Sequence, residues 1–120
     1  MDQNPLRNRR VFISGPMTGI EHYNAPEFAR AHAICREQGA AYVFDPSWEW
    51  MNEKGEENTH EYYMRRCINV LTNGTFDTLL QLDGWRESEG CRLEYEVAVA
   101  CGIRVAALLD DERTNERIMP

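Results

Sequence analysis

Phe76-Asp-Thr-Leu-Leu-Gln-Leu82, followed after a short turn by Ser88-Glu-Gly-Cys-Arg-Leu-Glu94-Tyr-Glu96-Val-Ala98, reads as a buried strand feeding a helix. The first run is apolar except for Asp77 and Gln81, the pattern of a strand covered on both faces. In the second run Ser88 is a natural N-cap. Gly90 lets the backbone approach a ligand closely. A helix start attracts anions, and Glu94 lies about one and a half turns in. A carboxylate beside a phosphate or sugar site is a candidate nucleophile.

Working outward, Val11-Phe-Ile-Ser14 is a first strand entering the glycine loop Gly15-Pro-Met-Thr-Gly19. Asn24-Ala-Pro26-Glu27 predicts a helix start, with Asn24 as N-cap and Glu27 closing a capping-box-like pair. That helix is expected to run to about Gln38 and stop at Gly39, with Phe28, Ala31, His32 and Cys35 inward. Ala41–Phe44 reads as a second strand, stopped by Asp45-Pro46. Ser47 to Asn58 reads as a loop anchored by Trp48, Trp50 and Met51. Thr59 is expected to cap a helix to about Leu71, with Tyr63, Cys67, Val70 and Leu71 inward. Asn73-Gly74 marks a turn. The Ser88 helix should end at Gly102 with Leu93, Val97, Ala100 and Cys101 on its core face. Ile103–Leu109 is the fourth strand, and the polar tail from Asp110 to Pro120 has room for one helical turn.

The order β-α-β-α-β-α-β implies an α/β fold: a parallel sheet of four to five strands, covered by helices on both sides. At 120 residues, the chain is expected to form one domain spanning 1–120. Hydrophobic residues at 42% and charged residues at 28% suit a globular protein. The net charge of −7 argues against a nucleic-acid polymer as partner, though not against a mononucleotide. No apolar run approaches membrane-spanning length, and the N-terminus lacks a signal-peptide core; no membrane partner and a cytoplasmic location are expected. Cys35, Cys67, Cys91 and Cys101 show no C-x-x-C spacing and read as reduced thiols, three of them at helix positions that could face the core. His22, His32 and His60 are scattered, so no metal site is expected.

In open parallel sheets, ligands bind beyond the carboxyl ends of the strands. This edge gathers Ser14, Gly15, Met17, Gly19, Tyr23, Trp48, Trp85, Ser88, Gly90 and Glu94. Aromatics suit a flat base, and Ser and Gly donors suit a phosphate or sugar. Singly, each signal is weak: the glycine loop is neither a Walker A loop nor G-x-G-x-x-G. Arg65-Arg66, Arg92 and Glu96 read as surface charges.

Four segments together resemble the nucleoside 2-deoxyribosyltransferase-like superfamily. They are Val11–Gly19, Asn24 with Phe28, Tyr63–Arg66, and Gly84–Gly90 with Glu94 and Ala98. The likeness is greatest to a small branch of uncharacterised bacterial and phage proteins, related to the 2′-deoxynucleoside 5′-phosphate N-hydrolases. The resemblance implies a flavodoxin-like (Rossmann-like) three-layer sandwich. It implies cleavage or transfer at the N-glycosidic bond of a nucleoside or its 5′-monophosphate, without cofactor or metal. The family's Ser-x-Gly-x-x-x-Glu pattern falls on Ser88, Gly90 and Glu94, making Glu94 the nucleophile and Ser88 the phosphate anchor. Ser14 to Gly19, with Tyr23, would line base and sugar. The chain departs from the pattern at Cys67, where the branch is expected to carry an aspartate; Asp83 is the better-placed substitute, Asp77 lying early in its strand. A pocket that binds a nucleotide without turnover is the alternative. An FMN carrier would want more Ser and Thr in the first loop than Thr18 alone. A homo-oligomer is expected from the sheet's exposed edges.

Overall fold

The computed structural model describes residues 5–17, 24–47, 60–109 and 117–119. Among the described residues the frame consists of β1 (Arg10–Ser14), α1 (Ala25–Glu37), β2 (Tyr42–Phe44), α2 (His60–Leu71), β3 (Thr78–Gln81), α3 (Glu89–Ala100), β4 (Arg104–Leu109) and β5 (Arg117–Met119). The strand order is β2-β1-β3-β4-β5. The first four strands run parallel, with Ser14 opposite Gln81 and Gln81 opposite Ala107. β5 joins antiparallel, Ile118 opposite Leu108. This is a flavodoxin-like three-layer α/β fold.

Alternation of side chains along β1 and β3 divides the core. Val11, Ile13, Leu80 and Leu82 pack with Phe28, Ala31, Ile34 and Cys35 of α1. Phe12 and Leu79 point to the other face, against Leu71, Phe76 and Ala98. There the Phe12 ring stacks on Phe44 at 5.1 Å and meets the Phe76 ring edge-on at 5.6 Å. Covering on both faces explains why all four residues of β3 are buried, Thr78 and Gln81 included.

Several local expectations are corrected. At the described end of the tail, Arg117–Met119 forms β5 and satisfies backbone groups along the outer edge of β4, while the stretch with room for a helical turn lies outside the described residues. Asn24 makes no side-chain cap, and its backbone is left-handed, at φ 63°. Its amide donates instead to the Pro16 carbonyl at 3.0 Å, and Glu27 turns to Arg30 at 2.8 Å. Ile34, not His32, completes the buried face of α1. On α3 the buried side is Gly90, Cys91, Glu94 and Ala98, while Leu93 stays 43% exposed and Ala100 and Cys101 face outward. Small residues at 90, 91 and 98 let α3 lie close on the sheet, and that approach carries Glu94 inward with them. The Thr59 cap lies outside the described residues.

Candidate active site

The chain leaves β1 towards β2 on one side and returns to β3 on the other, so the sheet's switch point falls between β1 and β3. Ser14 ends β1 at that point. The Leu82 amide donates to the Ser14 carbonyl at 2.8 Å, joining the two strand ends. Gly15 follows, and a Cβ there would sit 2.8 Å from Leu82 Cδ1, so the turn is drawn tight by the absence of a side chain. Asn24 fixes the far end of this turn through Pro16. After β2, Asp45 accepts from the Ser47 amide (2.9 Å) and hydroxyl (2.6 Å), which holds Pro46 between them.

Ser88 caps α3: its hydroxyl accepts from the Cys91 amide at 3.3 Å. About one and a half turns on, Glu94 is buried, and the Ser14 hydroxyl donates to its Oε1 at 2.7 Å. The Cys67 thiol of α2 lies beside the carboxylate on the same cleft and favours its charged form. A small cleft of about 40 Å³ opens over this group.

Of the residues expected at the site, Gly15, Met17, Ser88, Gly90 and Glu94 line the cleft, and Ser14 supports Glu94 from β1. Asp83 and Trp85 do not line it. A 3₁₀ turn at Trp85–Glu87, entered through Gly84 at φ 86°, places them on a separate hollow of about 760 Å³. Trp85 there stacks on Tyr95 at 5.2 Å, and the Arg86 guanidinium lies 5.3 Å from its ring. Asp83 is exposed. Asp77 is at the opposite edge of the sheet, where it accepts from the Arg10 amide and pairs with Arg9. Gly19, Tyr23 and Trp48 lie outside the described residues.

Sequence reasoning did not assign Pro46, Tyr63, Met64 and Cys91 to the site, and it counted Cys67 only as a departure; all five line the cleft. The spacing of Tyr63 and Cys67, one helical step of four, was the available signal for the wall that α2 provides.

Burial pushes the Glu94 carboxyl up to about 7, against the opposing pull of the Ser14 hydrogen bond and the Cys67 thiol. Burial likewise raises the Cys91 thiol to about 11 and the Cys67 thiol further, the nearby Glu94 charge adding to both. Near neutrality, then, one carboxyl is divided between acid and base while two thiols beside it stay protonated. Such a carboxyl can attack carbon when ionised or give up a proton when not. Among the described residues, no group of three or more His, Cys, Asp or Glu could hold a metal ion. No described helix is long and apolar enough to cross a membrane.

A family model described as a domain of unknown function, DUF4406, matches residues 9–107. The chain belongs to the DUF4406 family. The match runs from the residue before β1 into β4, so this DUF4406 domain carries Ser14, Cys67, Ser88 and Glu94 within the family's own span. No curated protein and no solved structure matches the chain.

Proposed function

We propose that this DUF4406 domain is a nucleoside 2-deoxyribosyltransferase-like enzyme that breaks the N-glycosidic bond of a nucleoside or nucleoside 5′-monophosphate. The observation that carries the reading is the buried Glu94 carboxylate at the sheet's switch point, oriented by the Ser14 hydroxyl at 2.7 Å. Glycosidic cleavage passes through an oxocarbenium-like transition state, which a carboxylate stabilises or captures as a glycosyl-enzyme. The Ser88-capped start of α3 lies on the same cleft and suits a 5′-phosphate. Water as acceptor gives a hydrolase, and a second base gives a transferase.

Cys67 favours a second reading, a nucleotide-binding module without turnover, because a thiol occupies the place where the resemblance expects an acid. The experiment is free-base release from ribo- and deoxyribonucleosides and their 5′-monophosphates, with and without an acceptor base, for wild type and Glu94→Gln. Release by wild type that falls more than ~10³-fold in Glu94→Gln supports the enzyme. Ligand-dependent stabilisation of both proteins with no release from either supports the binding module. A homo-oligomer, with exposed Tyr95 and Val99 of α3 at an interface, is part of the same proposal and is read by sedimentation.

A further inference from the structure

Glu94 is 6% exposed, and the influences on its ionisation are burial, the Ser14 hydroxyl and the Cys67 thiol. The described groups that face it are Ser14 from β1, Cys67 and Tyr63 from α2, and Cys91 from its own helix. None is a cation. A buried carboxylate without a counter-charge is costly to ionise, and a positive group brought in by a ligand relieves that cost. The cleft walls suit a flat, delocalised cation. Met17 and Met64 offer polarisable thioethers and Tyr63 an aromatic ring, beside Pro46.

The leaving group makes a second demand. A neutral base departs as an anion unless an acid protonates it. Besides Glu94, the described side chains lining the cleft offer only weak acids, the Tyr63 phenol and the thiols of Cys67 and Cys91, whose protons burial holds more tightly still. A base that is already cationic needs no proton, since breaking its glycosidic bond returns it neutral.

We infer that the cleft takes an N-glycoside whose base carries a positive charge, an N-alkylpyridinium or N7-alkylpurine nucleoside or its 5′-phosphate, whose ring charge pairs with Glu94. The inference rests on the glycosidic reading of the same site. In the reaction, a Glu94 oxygen forms a bond to C1′ while the bond from C1′ to the base nitrogen breaks. That electron pair passes to the ring and cancels its charge. Water then attacks C1′, the carboxylate leaves, and the water's second proton goes to solvent. Cationic glycoside and water give a sugar hydroxyl, a neutral base and one proton.

The test is calorimetric binding of nicotinamide mononucleotide against its dihydro form, two probes of nearly equal shape that share a phosphate and differ in ring charge. At about pH 8.5, wild type is expected to prefer the charged probe at least ~10-fold, and Glu94→Gln to lose that preference. In wild type alone the preference is expected to shrink several-fold at about pH 6.5, where Glu94 takes up a proton. Equal affinity for the two probes, no binding of the charged one, or a preference that survives both Glu94→Gln and the change of pH would overturn the inference. Preference without base release from any substrate leaves the charge assignment standing and removes the catalytic reading. Base release from neutral nucleotides, with equal binding of the two probes, does the reverse.

Discussion

The Ser14 hydroxyl donates to Glu94 Oε1 at 2.7 Å across 80 residues of chain, joining the end of β1 to the second turn of α3. The bond fixes which way the carboxylate faces, and it opposes the burial that would otherwise push Glu94 higher still. Ser14→Ala is therefore expected to cost about 1–3 kcal/mol where Glu94 is ionised and less where it is protonated. Urea melts above and below neutrality check this. A loss independent of pH would show that Ser14 acts through packing alone.

Glu94 also makes stability depend on pH. Its folded pKa is raised from 4.5 to about 7, so between these values the folded state keeps a proton that the unfolded state has released. Stability should fall as pH rises through this window, by roughly 1.4 kcal/mol per unit and about 3 kcal/mol in all. Glu94→Gln should remove this component and melt higher than wild type at pH near 8. Thermal melts of both proteins across the window are the check, and parallel curves would contradict the raised pKa.

Ser88 holds the start of α3 through the Cys91 amide. Ser88→Ala should cost about 1 kcal/mol from the lost cap. Ser88→Asp keeps a capping oxygen and adds a negative charge, so it should spare stability while weakening a 5′-phosphorylated ligand more than its unphosphorylated counterpart. Equal weakening of the two ligands would remove Ser88 from the phosphate site.

Gly15 has no room for a side chain, since an added Cβ would meet Leu82 Cδ1 at 2.8 Å and its Cγ at 3.0 Å. Gly15→Ala should destabilise by about 1–3 kcal/mol as Leu82 is displaced. Chemical denaturation reads the loss, and Leu82→Ala in the same chain should relieve the clash.

Thiol labelling separates the cysteines. Cys101 is exposed, whereas burial raises Cys35 to about 12 and Cys91 to about 11, and Cys67 is raised as well. In the native protein one equivalent of thiol, on Cys101, should react quickly near pH 8, with the others reacting only on unfolding. Fast labelling of Cys67 would mean that the cleft is more open to solvent than its geometry implies.

The alternation of apolar strands with helices was legible in the chain, because each depends on neighbours a few residues apart. Val11–Ile13 and Leu79–Leu80 are unbroken apolar runs because both faces of the sheet are covered, and that signature survives in one dimension. Ser88 as a cap and Gly39 and Gly102 as helix terminators, at φ 83° and 74°, are equally local. The rotation of α3 was not legible. Leu93 is more apolar than Glu94, yet Glu94 is the one buried, because the small residues Gly90, Cys91 and Ala98 set how closely the helix approaches the sheet. Nor could local pattern separate Trp85 and Asp83 from the cleft, which depends on a 3₁₀ turn entered through a left-handed glycine. Sequence by itself determined the α/β architecture, its parallel strands and the edge at which Ser14, Ser88 and Glu94 gather, since hydrophobic period and capping are short-range. Tertiary structure alone decided that Ser14, Cys67 and Glu94 meet, since that requires three distant elements to be packed at one point.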